Sequence, residues 1–193
     1  MTIKETLEPF NMLNLYANGA FPMADEKEEL NWYYPEIRTV IPLDNYNVPR
    51  SLKKFMSNAD FEYRYDYDTM TVVNECAKRS ETWISPELID AYEGLDMIGA
   101  LHSVSVYQNG KLVGGLYGVA VKGAFFGESM FSKVSQASKC ALVKLLERLN
   151  EKRFSVLDVQ FATEHLRMFG AKEIDLDEFN RLLDKAYSEE IFF

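Results

Sequence analysis

The sequence predicts an α+β fold, with a small N-terminal α/β region followed by a mixed sheet on which helices pack. Its strongest β signal is HSVSVYQNGKLVGGLYGVAVKGAFFGESMF, where the turns Asn109-Gly110 and Lys122-Gly123 separate three strand-like runs. Apolar residues at helical spacing follow over 137–149, and FSVLDVQF at 154–161 has the pattern of a buried strand. With 193 residues, of which 47% are hydrophobic, the chain is long enough to bury a substantial core.

The first 58 residues are predicted to form short elements. PFNMLNLYANG at 9–19 predicts a helix that ends near its glycine, and WYYPEIRTVIPL at 32–43 predicts a strand interrupted by prolines. Ser51 is expected to cap a short helix over SLKKFM. These elements indicate a small N-terminal domain over 1–58 and a larger domain over 59–193.

The larger domain is predicted to begin with a strand and two helices that precede the three strands already described. Its elements are, in order, a strand at 61–67, a helix after Asp68, a helix opened by Ser85-Pro86-Glu87, the three strands, a long helix from Ser135, the strand at 154–161, a helix from Thr163 to Gly170, and a final short strand and helix. From residue 102 this order resembles acyltransferase folds, so a GNAT-like sheet is expected. A fold of this kind does not by itself determine a function.

The charge of the chain argues against a large nucleic-acid-binding surface. The formal net charge is −9, whereas contacts to a duplex need clustered Lys and Arg. Residues 133–153 are locally basic, with Lys or Arg at six positions against two glutamates. That run fits a solvated helix face or a small nucleic-acid contact.

Signals for membranes, export and metals are missing from the sequence. No stretch reaches the roughly 20 apolar residues that span a bilayer, and MTIKETLEPF lacks the basic-then-apolar order of a signal peptide. Cys76 and Cys140 have no metal-ligand spacing, and His102 and His165 alone do not make a typical zinc site. We therefore expect a cytoplasmic protein with reduced thiols and with no metal, cofactor or membrane partner.

A series of short motifs carries a specific resemblance. The motifs are, in order, YANGAFPM, RTVIPL, CAKRSETWI, HSVSVY, KLVGGLYGVAV, FFGESMFS, ASKCAL, DVQ and GAKEI. Together they resemble the leucyl/phenylalanyl-tRNA–protein transferase family over residues 13–179, most densely over 102–171. The resemblance implies an enzyme that moves Leu, Phe or Met from aminoacyl-tRNA to the N-terminal Arg or Lys of a protein and so marks that protein for degradation.

Three stretches depart from the family pattern. The family's usual paired tryptophans are Trp32-Tyr33-Tyr34 here, and its Asp-Cys-Gln is Asp158-Val159-Gln160. The segment after the SLKK helix is ordinarily rich in Arg and helps bind the tRNA acceptor arm, but here it is the acidic SNADFEYRYDYD. The polar pair is thus kept, while the segment implied to bind tRNA carries the opposite charge.

Asp158 and Gln160 are the predicted catalytic residues. They are two apart on a predicted strand and therefore point to one face of it, which on its own is more typical of a polar exposed face. The resemblance implies that Asp158 orients Gln160, whose carbonyl oxygen accepts a hydrogen bond from the attacking amine. It also implies that Asp158 could attract a cationic N-terminal residue of the acceptor.

The resemblance further implies a pocket for the side chain of the donor. Its predicted members are Leu116, Phe125, Met130, Leu142, Leu145 and Leu157, although apolar residues at these spacings are also typical of plain core. Such a pocket would accept Leu or Phe and would exclude charged side chains, because their desolvation is costly.

Glu128 lies among Phe and Met residues in FFGESMFS, where an unpaired carboxylate would not stay charged. Simple alternation puts Phe126, Glu128 and Met130 on one face, unless a bulge at Gly127 changes the register. The resemblance implies that Glu128 contacts the aminoacyl-adenosine end of the tRNA or shapes the pocket. A buried carboxylate satisfied by backbone amides is the simpler alternative.

Three aromatic residues are candidates for stacking on the terminal adenosine. The resemblance implies Trp83 as one platform and either Trp32 or Tyr33 as the second. Stacking contributes roughly 1–3 kcal/mol per base and does not depend on the base. Aromatic residues at the edge of the core are the simpler interpretation of all three.

Two other functions fit a sheet of this kind. An acyl-CoA-dependent N-acyltransferase needs a glycine-containing loop that holds pyrophosphate at the start of the long helix, and SKVSQASKCAL contains no glycine. A non-catalytic module that binds aminoacyl-tRNA or basic N-termini is the third hypothesis. The acidic residues 60–68 favour this module, whereas Asp158 and Gln160 argue against it.

Overall fold

The structure, a computed structural model, describes residues 1–25, 27, 29–78 and 82–193. Its helices are α1 (Ile3–Thr6), α2 (Pro9–Ala17), α3 (Arg50–Asn58), α4 (Thr69–Ala77), α5 (Pro86–Met97), α6 (Ala137–Glu151), α7 (Glu164–Arg167) and α8 (Leu176–Tyr187). Its strands are β1 (Phe21–Ala24), β2 (Leu30–Tyr33), β3 (Ile37–Val40), β4 (Glu62–Tyr65), β5 (Leu101–Gln108), β6 (Lys111–Val121), β7 (Ala124–Ser132), β8 (Val156–Gln160) and β9 (Lys172–Asp175). None of the helices in these ranges is long and apolar enough to cross a bilayer.

Seven strands form one mixed sheet in the order β4-β5-β6-β7-β8-β3-β9, and β1 pairs with β2 in a separate hairpin. Neighbours in the large sheet are antiparallel except for β7 and β8, which are parallel. A parallel pair needs a crossover connection, and α6 supplies it. The predicted α+β class, with a mixed sheet and packed helices, is therefore confirmed.

Helices cover both faces of the large sheet. On one face, which we call the α5 face, α2, α4, α5 and α8 bury residues such as Met12, Val72, Leu88 and Phe179. On the other, the α6 face, α3, α6 and α7 pack, and α6 contributes the largest share of the buried side chains. The site described below lies between β7 and β8, beyond the residues through which these two strands pair.

The predicted strand at 32–43 is two strands in the structure. β2 ends before Pro35 and β3 ends before Pro42, because proline cannot donate a hydrogen bond to a ladder. β3 then lies between β8 and β9 in the large sheet. The domain boundary near residue 58 stays a prediction, and a strand from its N-terminal side contributes to this sheet.

The helix starts agree with the sequence only in part. Ser85 and Thr163 cap their helices as predicted, each accepting a hydrogen bond from the backbone N–H three residues later. Ser51 does not cap α3, because that helix begins one residue earlier. Asp68 precedes α4 but does not cap it, since its carboxylate accepts a hydrogen bond from the Tyr107 hydroxyl at 2.8 Å.

Candidate functional site

A small apolar cavity lies where β7 and β8 separate. The two strands pair only through Ala124–Phe126 and Val156–Asp158, and beyond these pairs α6 and α7 close the space between them. The cavity has a volume of about 80 Å³. Its wall consists of Leu116, Tyr117, Gly127, Glu128, Ser129, Met130, Leu142, Leu145, Leu157, Val159 and Leu166.

Six of the predicted substrate-binding residues meet in this wall. They are Leu116, Glu128, Met130, Leu142, Leu145 and Leu157. Val159 and Leu166 join them without having been predicted. Val159 follows from its alternation with Leu157 along β8, so the strand pattern alone could have identified it.

Phe125 does not line the cavity, in contrast to the expectation from the resemblance. It is fully buried on the α6 face, where its ring fills the space over Gly118. A Cβ added at Gly118 would lie 2.4 Å from Phe125 Cε1. The ring also packs against Phe154 and Phe193, with centroids 6.5 and 5.4 Å away, so Phe125 contributes to the core beside the cavity.

A β-bulge positions Glu128. In the β6–β7 ladder the pairing steps from Gly127 directly to Ser129, so Glu128 has no partner residue on the neighbouring strand. The extra residue reverses the alternation, and Met130 lies on the α6 face instead of sharing the α5 face with Phe126. The bulge considered at Gly127 is therefore present, and it turns Glu128 into the cavity wall.

The Glu128 carboxylate is buried and is held by side chains, not by backbone amides. The Tyr92 hydroxyl donates to Oε2 at 2.7 Å, and Gln160 Nε2 donates to Oε1 at 3.2 Å. Burial raises the pKa of Glu128 to about 7; the hydrogen bonds from Tyr92 and Gln160 oppose this rise, and the charge of Asp158 adds to it. Glu128 therefore changes its charge near neutral pH.

Asp158 and Gln160 lie at the end of β8 and are linked through the backbone. Asp158 Oδ1 accepts a hydrogen bond from the Gln160 N–H at 3.0 Å. Gln160 has a φ of 60°, a left-handed conformation that is uncommon for a residue with a side chain. Its side chain bonds to Glu128, so the predicted catalytic pair and the predicted pocket residue form one hydrogen-bonded chain.

Asp158 has a buried cation as its partner. Arg38 of β3 donates from Nη2 to Asp158 Oδ2 and from Nη1 to the Gly19 carbonyl oxygen. The rings of Phe179 and Phe21 flank the guanidinium, with centroids 4.5 and 5.1 Å from Cζ. Burial raises the pKa of Asp158 above its ordinary value, and Arg38 acts against this rise.

Arg38 and Tyr92 are functional candidates that sequence reasoning missed. A buried carboxylate requires a cation or hydrogen-bond donors, and Arg38 is the one Lys or Arg in the predicted strand at 32–43. Tyr92 lies on the apolar stripe of α5, four residues after Leu88 and three before Leu95. The need of the Asp158 and Glu128 carboxylates for donors points to both residues only once the burial of these carboxylates is known.

The three predicted stacking residues lie outside the cavity wall. Trp32 packs against the α5 face, and its indole N–H donates to Thr6 Oγ1 at 2.9 Å. Trp83 is also partly buried against that face. Tyr33 stacks on Phe21 with ring centroids 6.1 Å apart. It is 37% exposed and is therefore the most accessible of the three.

Metal-ligating residues are not clustered in the described part of the chain. No group of three or more His, Cys, Asp and Glu side chains is placed there to hold a metal ion.

Models of one protein family match almost the whole chain. A leucyl/phenylalanyl-tRNA protein transferase model matches residues 40–184, and a model of the N-terminal domain of the same family matches residues 5–36. The chain belongs to the leucyl/phenylalanyl-tRNA–protein transferase family. The resemblance carried by motifs such as GESMFS is therefore confirmed.

Curated leucyl/phenylalanyl-tRNA–protein transferases are similar over most of their length. The protein from Phenylobacterium zucineum is 48% identical over 182 residues, which cover 91% of this chain and 82% of that protein. The protein from Herpetosiphon aurantiacus is 47% identical over 181 residues, which cover 93% of this chain and 94% of that protein.

Similarity to solved structures is weaker. The structure of L-PGS from Bacillus licheniformis is 12% identical with a TM-score of 0.45, over 81% of this chain and 54% of that chain. The C-terminal domain of a lysylphosphatidylglycerol synthetase described as putative, from Agrobacterium fabrum, is 12% identical with a TM-score of 0.44, over 94% of this chain and 57% of that one. The fold assignment therefore rests on the sheet order of this chain.

Acidic residues of the segment 60–68 make contacts within the chain. Glu62 pairs with Arg64 at 2.8 Å, and Asp66 hydrogen-bonds to His102 at 2.9 Å while accepting from the Ser103 N–H. The segment contains β4, an edge strand three places from β7. At about 4.8 Å per strand, it lies roughly 14 Å across the sheet from the strand that carries Glu128.

Proposed function

We propose that this chain transfers Leu, Phe or Met from aminoacyl-tRNA to the N-terminal Arg or Lys of proteins and so marks them for degradation. Family membership supports the transfer reaction. The site assignment is carried by one observation, an apolar cavity whose wall residue Glu128 is hydrogen-bonded to Gln160. A charged tRNA as donor implies the cytoplasm as the compartment.

The donor ester is already activated, so the site needs mainly to position two partners. The neutral α-amine of the acceptor attacks the carbonyl carbon of the aminoacyl ester, a C–N bond forms, and the bond to the ribose 3′-oxygen breaks. The proton that the amine loses ends on that departing oxygen. Binding the apolar side chain in the cavity would hold the ester beside the amide of Gln160.

Gln160 is the residue that we assign to the attacking amine. Glu128 holds its Nε2, so Oε1 is the atom of the amide that remains to accept a hydrogen bond from the amine. An amide oxygen is too weak a base to remove a proton. Gln160 therefore orients the lone pair of the amine toward the ester carbon.

Asp158 acts through Gln160 in this proposal. Its side chain is fully buried, and its oxygens are engaged by Arg38 and by the Gln160 N–H. The expectation that Asp158 attracts a cationic acceptor residue therefore gains no support from this geometry. The acceptor's Arg or Lys must be recognised by other groups.

The cavity would select the donor side chain by desolvation and by size. A charged side chain that enters this cavity, whose wall is largely apolar, loses its hydration at a cost of several kcal/mol. The volume of about 80 Å³ is well below the roughly 150 Å³ of a protein cavity that holds benzene. A Phe donor therefore requires the wall to move, and Met130 is the member best suited to move because it is unbranched and flexible.

Tyr33 and Trp83 are the proposed platforms for the terminal adenosine. Tyr33 is preferred to Trp32 because it is more exposed, whereas the indole N–H of Trp32 is already bonded to Thr6. Stacking on such rings contributes roughly 1–3 kcal/mol per base.

A transfer assay with purified protein tests the proposal. It uses tRNA charged with radiolabelled Phe or Leu and peptides that differ only in their first residue. Peptides beginning with Arg or Lys should become labelled, whereas a peptide beginning with Asp and an N-acetylated Arg peptide should not.

Two results would contradict the proposal in different ways. Equal labelling of the Arg and Asp peptides would remove the acceptor assignment. Binding of the charged tRNA without labelling of any peptide would favour the non-catalytic module.

A further inference from the structure

Arg38 is a buried cation that the reaction described above leaves without a role. Its side chain is 1% exposed and is the largest of the fully buried side chains in the described residues. Burying a guanidinium costs several kcal/mol of hydration unless partners compensate for it. Arg38 cannot touch either substrate from this position, so any contribution to the reaction must pass through its neighbours.

A series of hydrogen bonds connects Arg38 to Gln160, the residue assigned to the attacking amine. Its Nη2 bonds to Asp158 Oδ2, the other oxygen of Asp158 accepts the Gln160 N–H at 3.0 Å, and Gln160 Nε2 bonds to Glu128 at 3.2 Å. Each bond fixes the orientation of the next group. The series of bonds thus connects four residues of three strands, of which Glu128 lies in the cavity wall and the other three lie outside it.

Arg38 also controls the charge of Asp158. Burial favours the neutral form of that carboxyl, and Arg38 favours the ionised form. Without the cation, burial would raise the pKa of Asp158 further, and Oδ2 would lose the hydrogen bond that fixes its orientation. A neutral carboxyl is also a weaker acceptor for the Gln160 N–H than a carboxylate. The uncommon φ of 60° at Gln160 would then keep the backbone hydrogen bond from the Phe161 N–H to the Val159 carbonyl oxygen at 2.7 Å but lose part of the support that Asp158 gives.

We propose that Arg38 is a positioning residue for the transfer reaction, holding the Asp158 carboxyl in the orientation that keeps Gln160 aimed at the attacking amine. This inference rests on the proposed function. The alternative is that the Arg38–Asp158 pair only stabilises the fold by joining β3 to β8.

The guanidinium geometry distinguishes Arg38 from a simple counter-ion. Its two terminal nitrogens bond to different partners, Asp158 and the Gly19 carbonyl, while Phe179 and Phe21 cover its faces. A lysine ammonium supplies the charge but not the planar fork. Arg38→Lys should therefore keep part of the effect on the charge of Asp158 and lose most of the alignment.

The test compares Arg38→Met, Arg38→Lys, Asp158→Asn and the double variant Arg38→Met/Asp158→Asn in transfer kinetics and in thermal unfolding. In Arg38→Met, kcat should fall by about 10²-fold, the loss that a misplacement of about 1 Å can cause, with KM for both substrates changed much less. Raising the pH should restore part of this loss, because it favours the ionised form of the Asp158 carboxyl, whose pKa burial raises. The double variant should regain thermal stability, because no charge is left unpaired, while kcat stays low.

The control is Arg181→Met, the same substitution at an exposed position of α8, which should leave kcat and stability unchanged. A kcat that follows the melting temperature across the set, with activity regained in the double variant, would overturn the positioning role. If Arg38→Met does not fold, Arg38→Lys decides, since a folded Arg38→Lys with normal kcat and an unchanged pH profile also overturns it. A wild type that transfers nothing would instead refute the proposed function.

Discussion

The cavity wall and the polar chain beside it are assembled from residues at different separations in the sequence. The polar chain is the hydrogen-bonded series Arg38, Asp158, Gln160, Glu128 and Tyr92. The cavity wall is drawn from β6, β7, α6, β8 and α7, whose apolar residues follow from local periodicity. The polar chain instead joins residues far apart in the sequence. Arg38 and Asp158 are 120 positions apart, Tyr92 and Glu128 are 36 apart, and Glu128 and Gln160 are 32 apart.

This difference predicts how each region responds to substitution. An apolar wall tolerates exchange of one apolar residue for another at modest cost, and the exchange mainly changes the shape of the cavity. A buried polar chain fails when one member is removed, because the remaining partner is left charged or unsatisfied. We therefore expect substitutions in the polar chain to change the rate and substitutions in the wall to change the choice of donor.

The largest effect is expected for Gln160→Ala. Removing the amide should lower kcat by about 10²- to 10³-fold, because the amine then loses the group that orients it, while affinity for aminoacyl-tRNA should change only slightly. Steady-state transfer kinetics and tRNA-binding titrations measure the two quantities separately. The matched control is Gln108→Ala at the far end of β5, which should transfer normally. A Gln160→Ala enzyme with more than half of the normal kcat would remove Gln160 from the mechanism.

The elements that could be predicted from the sequence are those with local signals. The Asn109-Gly110 turn and the spacing of apolar residues in α6 both depend on residues within one element, and the structure contains both. The bulge at Glu128 was also foreseeable, because Gly127 lowers its cost.

The features that could not be predicted depend on pairing between distant segments. β3 lies between β8 and β9, and no local pattern specifies those partners. The same holds for Arg38, whose side chain is identifiable only once Asp158 is known to be buried. Phe125 is a related case, since the resemblance implies that it lines the pocket, whereas its ring lies over Gly118 outside the cavity wall.

The second effect concerns Glu128 and the pH dependence of stability. The pKa of Glu128 is about 7 in the folded protein and near 4.5 in the unfolded chain, so between these values the folded state binds a proton that the unfolded state has released. The free energy of unfolding should therefore decrease as pH rises through this window. The total is about 3.5 kcal/mol, from a pKa difference of roughly 2.5 between the folded and unfolded states at about 1.4 kcal/mol per pKa unit.

Glu128→Gln isolates this contribution, because the amide does not titrate. Urea denaturation from below pH 4.5 to above pH 7 should give a wild-type curve that falls relative to the variant across the window. Parallel curves for the two proteins would show that Glu128 keeps an ordinary pKa in the fold. Glu128 would then be ionised across most of this pH window, and it would not make the free energy of unfolding depend on pH there.

The smallest effect is expected in the cavity wall, where Leu142→Ala should shift donor choice toward Phe. Shortening Leu142 enlarges the cavity, and the ratio of kcat/KM for Phe-tRNA over Leu-tRNA should rise by about tenfold, the lower end of what one or two methylenes discriminate. The control is Leu146→Ala, one turn further along α6, which is also buried but does not line the cavity. Both variants should lose stability, by about 2 kcal/mol or more, but only Leu142→Ala should change the ratio. The same ratio of kcat/KM in both variants would mean that the donor side chain binds elsewhere. The cavity wall would then not determine donor specificity, and its proposed difference in role from the polar chain would be wrong.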